Sequence, residues 1–167
     1  MARVSIIVAA SENNVIGNKG EIPWKLGTDL RRFCGLTMQC PVIMGRKTWE
    51  SFDSTLPGRV PIVLSHDPFY FPYGVLTSRS LRSALAITEH YPEVFIAGGR
   101  EVYDIALPIA DTVYLTRVHA TVKGDVVLPM LLCGSWHLAS SAVHPASGVD
   151  QYPFTFETWI REWGTAI

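Results

Sequence analysis

The stretch Gly17-Asn18-Lys19-Gly20-Glu21-Ile22-Pro23-Trp24-Lys25-Leu26-Gly27-Thr28-Asp29-Leu30-Arg31-Arg32-Phe33 decides how the rest of the chain is read. A glycine-bearing loop runs into Pro23-Trp24, and a helical pattern then places Asp29 between Leu26, Leu30 and Phe33 at i, i+3, i+4 spacing. A carboxylate on the apolar stripe of a helix is costly alone and needs a partner from the protein or from a ligand. Two readings are open. Thr28 or Asp29 can cap the helix N-terminus, which is the simpler reading of this window alone. The rigid Pro23 and the large Trp24 indole favour instead the wall of a pocket, with the indole N–H on an ordered water.

Upstream, Val4–Ala10 is a continuous apolar run, as expected of a strand covered on both faces of a mostly parallel sheet, and Ser11–Asn14 is the turn after it rather than the end of a signal peptide. Asn18–Glu21 has the composition of a lid and equally of an ordinary surface loop. Downstream, the helix runs from Leu26 to about Met38, and Pro41 restarts the chain as the strand Val42–Met44. Gly45-Arg46-Lys47-Thr48 then opens a helix through Phe52. Free N–H groups and two cations make this a candidate phosphate cradle, although a turning glycine with two solvated cations has the same sequence.

Leu56-Pro57-Gly58-Arg59 is a turn and Val60–Leu64 a strand, with Ser65-His66 at its end beside a cofactor crevice. After the irregular Asp67–Gly74 come a short strand, Val75–Thr77, a helix from the cap Ser80 to about Tyr91, and a buried strand, Glu93–Ala97. Gly98-Gly99 leads into a helix, Arg100–Leu107, ended by Pro108, and Thr112–Val118 is the next strand. Trp136–Val143 and Phe154–Trp163 alternate apolar and polar residues. No Gly-x-Gly-x-x-Gly occurs, so two cradles at strand-to-helix junctions are expected to take a dinucleotide with phosphates at separate points. The fold expected is α/β, one domain over 1–167: a mostly parallel central sheet flanked by helices, with C-terminal antiparallel strands.

The totals exclude several classes. With 14 basic and 15 acidic residues among 167, the net charge of −1 provides no field for nucleic acid or an anionic membrane. Three cysteines without a Cys-x-x-Cys pair point to reduced thiols and a cytoplasmic protein. Five histidines lack metal-ligand spacing, no Gly-x-Ser-x-Gly elbow occurs, and no apolar stretch reaches transmembrane length, so no metal, serine nucleophile or membrane is expected.

Taken in order, Val15-Ile16-Gly17-Asn18, Ile22-Pro23-Trp24, Asp29-Leu30 with Phe33, the run Pro41–Ser51, Leu56–Arg59, Ala97-Gly98-Gly99 with Val102-Tyr103, Tyr114-Leu115-Thr116 and Gly124-Asp125 make the chain resemble the dihydrofolate reductase family over nearly its whole length. The resemblance implies NADPH-dependent reduction of 7,8-dihydrofolate to tetrahydrofolate, hydride going to C6 and a proton to N5, in an antifolate target expected to be monomeric. It implies a catalytic set of Asp29, Trp24, Thr116 and Ile22. Asp29, the one carboxylate placed among apolar residues, would accept from the ring N–H and the exocyclic amine of the pterin. Thr116 would bond both carboxylate and amine, although a β-branched strand residue needs no such role. The proton would arrive from water near Trp24 and Ile22.

Ile7, Leu30, Phe33, Phe52 and Leu56 would line the pterin and benzoyl slot, and Arg59 would hold the α-carboxylate of the glutamate tail. Ser54 falls where a relative carries a second arginine. To the cofactor the resemblance assigns Ala9, Ile16, Gly17, Gly45, Arg46, Lys47, Thr48, Leu64, Ser65, His66, Arg79, Ala97, Gly98, Gly99, Arg100, Glu101, Val102 and Tyr103. Arg46 and Ser65 would take the extra ribose phosphate, with His66 and Arg79 near the adenosine end, and the lid would close over the nicotinamide. Glu101, where some relatives carry arginine, weakens the expected preference for NADPH over NADH. Two alternatives remain at this level: another NADPH reductase of the same fold acting on a pyrimidine, and a non-catalytic nucleotide-binding domain.

Overall fold

In the computed structural model, which describes residues 1–52, 56–128 and 132–164, the chain forms ten strands and four α-helices among the described residues. They are β1 (Arg3–Ser11), β2 (Val15–Gly17), α1 (Gly27–Thr37), β3 (Pro41–Gly45), α2 (Arg46–Ser51), β4 (Val60–Leu64) and β5 (Leu76–Ser78). There follow α3 (Leu81–Ile87), β6 (Glu93–Ile96), α4 (Arg100–Ala106), β7 (Thr112–Val118), β8 (Val126–Val127), β9 (Trp136–His144) and β10 (Phe154–Arg161).

Eight strands make one sheet in the order β5-β4-β3-β6-β1-β7-β10-β9, parallel from β5 to β7 and antiparallel at β10 and β9. This is the expected fold class. β1 lies inside the sheet between β6 and β7, which is why its apolar run does not alternate with polar residues: both faces are covered. One face carries Ile6, Val8, Ile43, Ile62, Ile96 and Leu115, packed with Leu81 and Ala84 of α3 and Val102 and Ala106 of α4. The other carries Val42, Met44, Val63 and Phe95, packed with Phe33 and Leu36 of α1 and Trp49 of α2. Ile7, Ala97 and Tyr114 belong to this second face, and the functional candidates gather at its open end.

Most boundaries differ from the sequence reading by a residue or two, β10 ending at Arg161 rather than Trp163. β5 begins at Leu76, one residue late. α3 stops at Ile87, where the buried Thr88 hydroxyl turns back onto the Ala84 carbonyl at 2.9 Å and the helix is not continued to Tyr91. α4 ends at Ala106, one residue before the expected Leu107, and Pro108 sits in the 3-10 turn Leu107–Ile109 that follows, where its missing N–H costs nothing.

Candidate active site

Asp29 lies in the first turn of α1, and its carboxylate accepts a 2.6 Å hydrogen bond from the Thr116 hydroxyl on β7, 87 residues away. Thr116 is buried and pairs across the sheet with Ala9 of β1. A helix carboxylate and a strand hydroxyl thus meet over the second sheet face. Burial pushes the Asp29 carboxyl up, and Asp150 adds to this, while the Thr116 bond and the Arg32 charge pull it down; the net displacement is upward.

The capping reading of Asp29 fails. Neither Thr28 nor Asp29 supplies a side-chain cap, and the N-cap position is Leu26. The acceptor comes instead from Asp150, 122 residues away, which takes the Thr28 N–H at 2.9 Å and the Thr28 hydroxyl at 2.6 Å. These bonds hold the Asp150 carboxyl below its ordinary range. With its N-terminus capped from outside, α1 leaves the Asp29 side chain free to face the cleft. Nor is Asp29 the one carboxylate among apolar groups. Asp150 is buried, and the Glu93 side chain, 15 % exposed, accepts from Arg3, Ser5 and Tyr114. Both are consumed by protein donors, and no sequence signal pairs either with its distant partners.

The slot beside Asp29 gathers much of the expected lining. Phe33 and Phe52 stack with ring centres 6.1 Å apart, and Ile7, Phe33, Phe52 and the buried Leu56 share one apolar cluster. Leu30 is 61 % exposed on the open side of α1. Arg59 is half-buried, and its Nε is buried without a hydrogen-bond partner among the described residues. Ser54 lies outside the described residues. Trp24 is buried with Leu26, Val118 and Phe154, and Ala9 packs on that cluster, whereas Ile22 is exposed on the loop.

The two cradles are not separate. Because β3 and β6 are sheet neighbours, the Gly45 N–H donates to the Gly98 carbonyl at 2.8 Å, and α2 and α4 begin side by side. Their N-cap residues, Gly45 and Gly99, carry no side-chain cap, so both sets of N–H groups are open. Gly98 has φ +108°, and a Cβ there would meet the Tyr103 ring and hydroxyl at 3.1–3.2 Å; one at Gly99 would meet the Thr48 hydroxyl at 3.4 Å. Tyr103 is buried, its hydroxyl donating to the Ile7 carbonyl at 2.9 Å, and burial pushes its phenol far up. Val102 is buried beneath the same junction and Ala97 half-buried, while Lys47, Arg100 and Glu101 are exposed.

At the far end, Ser65 and Arg79 meet on an open cleft of about 350 Å³, lined also by Asp67, Tyr70, Phe71 and Ser78. Leu64, half-buried, leads into it from β4. Arg46 and His66 are not in its lining. Arg46 is held by Glu50 at 2.9 Å and Asp67 at 3.6 Å and lies 4.1 Å over Tyr70, so its charge is already shared by two acids. Asp67 was invisible to motif reading, since it sits in an irregular loop.

The Asn18–Glu21 loop is a tight turn, with paired backbone bonds between Asn18 and Glu21. It is clasped from behind: β2 pairs with β8, the Asp125 N–H donates to Gly17, and the Asp125 carboxylate accepts from the Lys19 N–H at 3.2 Å. A Cβ at Gly124 would collide with Val15 and the Gly17 carbonyl, which explains a glycine before that aspartate. Ile16 and Gly17 are half-buried at the base of the turn.

No helix among the described residues is long and apolar enough to cross a membrane, and no group of three or more potential metal ligands occurs among them. The family model for dihydrofolate reductase matches residues 3–161. The chain is 40 % identical over 159 residues to the type 3 dihydrofolate reductase of Salmonella typhimurium, covering 95 % of this chain and 98 % of that protein. It is 38 % identical over 158 residues to the dihydrofolate reductase of Haemophilus influenzae, covering 95 % and 98 %. Among solved structures, the Enterococcus faecalis dihydrofolate reductase complexed with NADP(H) and RAB-propyl superimposes with a TM-score of 0.90 at 31 % identity, covering 96 % of this chain and 97 % of that one. Motif order, sheet order and these likenesses coincide over the same span: the chain belongs to the dihydrofolate reductase family.

Proposed function

We propose that this chain reduces 7,8-dihydrofolate to 5,6,7,8-tetrahydrofolate with NADPH, using Asp29 and Thr116 to hold the pterin. The observation that carries this reading is the Asp29–Thr116 bond at the open end of the sheet, beside an apolar slot. A carboxylate accepts two neighbouring N–H donors at once, as a 2-aminopyrimidine edge presents them, and a charge-assisted pair is strong in an apolar surrounding. Thr116 orients the carboxylate and offers its oxygen to the same amine. The fixed negative charge of Asp29 favours protonation of the ring at N5, and water reaching N5 past Ile22 and Trp24 delivers that proton. Leu30, Phe33, Phe52, Ile7 and Leu56 exclude the remaining water, and the partnerless Nε of Arg59 suits the tail carboxylate.

The residues present fit a pyridine dinucleotide. Two uncapped helix starts adjoin at Gly45 and Gly99, and glycine at 98 keeps a Cβ away from Tyr103 where backbone and phosphate would approach. Gly45–Thr48 and Gly98–Val102 would hold the diphosphate, with Ser65 and Arg79 at the adenosine end and Ala9, Ile16, Gly17 and Ala97 toward the nicotinamide. When bound, the cofactor supplies the hydride. The chain's own part is approach, alignment and the exclusion of water by the Asn18–Glu21 lid. We place the enzyme in a reducing cytoplasm as a monomer without nucleic-acid partners; free Cys34, Cys40 and Cys133 and a net charge of −1 support this. Loss of NADPH absorbance on adding dihydrofolate tests the proposal, with NADH in parallel. Tight NADPH binding without dihydrofolate-dependent loss would refute it.

A further inference from the structure

Arg32 has no part in the function above, yet its place is unusual. It follows Asp29 by three residues on α1, so the two side chains are neighbours on the helix surface. Its guanidinium carbon lies 4.2 Å from the ring centre of Phe156 and 5.7 Å from that of Tyr114. Phe156 is the register partner of Thr116 across the β10–β7 pair, and Tyr114 precedes Thr116 by two residues on the same strand face. The hydroxyl that holds Asp29 belongs to that same Thr116. Carboxylate and guanidinium therefore stand over one small patch of sheet.

Arg32 is half-buried and, among the described residues, its side chain has neither a hydrogen bond nor a salt bridge, whereas Arg3 and Arg46 are each paired with a carboxylate. We propose that Arg32 is a positioning residue for the charge of Asp29: seated on Phe156 and Tyr114, its guanidinium keeps that carboxylate ionised in a desolvating cleft. The inference rests on the reading of Asp29 as the pterin-holding acid. Aromatic faces attract a guanidinium without neutralising it, so the charge stays available to Asp29. An apolar side chain in its place would deepen the desolvation and supply no countercharge.

The other groups around the pair do not replace it. Asp150, from the loop before β10, pushes the Asp29 carboxyl up rather than down. Tyr103 on α4 is buried and neutral, its hydroxyl spent on Ile7, and the Tyr114 hydroxyl is turned to Glu93 at 3.3 Å. His144 on β9 packs 4.8 Å from Phe156, on the patch itself. Desolvation lowers the Arg32 guanidinium, and Asp29 is the foremost charge restoring it.

The test is a carboxyl ¹³C NMR titration of the ligand-free full chain, the Asp29 resonance being identified by its loss in Asp29→Asn. Wild type is compared with Arg32→Met, Arg32→Gln and Arg32→Lys. We expect the Asp29 midpoint to move to higher pH in the Met and Gln variants and to stay with wild type in the Lys variant. The pH profile of single-turnover hydride transfer should move in the same sense. Arg32→Gln keeps length and polarity should Arg32→Met fold poorly. An unchanged midpoint in a folded charge-free variant overturns the proposal, as does a Lys variant that behaves like Met. Because the titration uses neither dihydrofolate nor NADPH, failure of the reductase assay would be a separate result.

Discussion

Around Gly45, Gly98 and Gly99 the cleft is made of main chain: a 2.8 Å backbone bond, two uncapped helix starts and a glycine pressed against Tyr103. Toward β7 it is made of side chains: Asp29 on Thr116, Phe33 on Phe52, and an Arg59 nitrogen without a partner among the described residues. Backbone groups cannot be exchanged without moving the strands that carry them, whereas side chains on finished elements can be. Damage at the glycines should therefore reach fold and binding together, and damage at Asp29 or Arg59 should reach function alone.

Asp29→Asn is expected to have the largest effect, a loss of roughly 2–4 kcal/mol of transition-state stabilisation, or about 30- to 900-fold in single-turnover hydride transfer. NADPH affinity should stay intact, which fluorescence titration can check. Stability should not fall. The Asp29 carboxyl titrates above its ordinary value in the fold, so its contribution is present at low pH and is lost as pH rises through the folded pKa. The Asn variant should thus gain on wild type in thermal midpoint as pH rises through the folded pKa and the wild-type carboxylate ionises. A variant both inactive and unfolded would erase the contrast between the two halves.

Gly98→Ala comes next. At φ +108° with Tyr103 in the way, about 1–3 kcal/mol of folding stability should be lost, and NADPH binding should weaken with it. Urea denaturation and cofactor titration on the same preparation decide whether the two losses travel together. Arg59→Ala should raise KM for dihydrofolate by roughly tenfold, the value of a charge-assisted hydrogen bond, with kcat little altered. A pterin without the glutamate tail is the control, and equal damage to both substrates would make Arg59 structural.

The smallest effect is expected at Asp150→Asn, which weakens the cap on α1. Thermal unfolding at neutral pH should fall by a few degrees. Asp150 titrates below its ordinary value in the fold, so its stabilisation is present above the unfolded pKa and is lost as pH falls through the folded one. The difference between the two proteins should close in acid.

Much of the fold is legible in the sequence. Thr112–Val118 emerges with the expected bounds, Ser80 caps its helix by accepting from the Ser83 N–H, and Asp29 faces a partner other than water. These are local signals: apolar runs, a cap residue, a charge on an apolar stripe. What misled was also local. Thr28 and Asp29 look like cap residues, and only the arrival of Asp150 from 122 residues away removes the need for them. Nor does the sequence show that the exposed Arg46 lies between Glu50 and Asp67.

By itself the sequence determined the fold class and most of its strands and helices, because periodicity and side-chain type are properties of neighbours along the chain. The tertiary structure decided that Gly45 touches Gly98, that Asp29 meets Thr116 and that Arg32 settles on Phe156. Each of these contacts depends on the order of strands in the sheet and the face on which a helix lands, set by packing of the whole core rather than by any stretch within it.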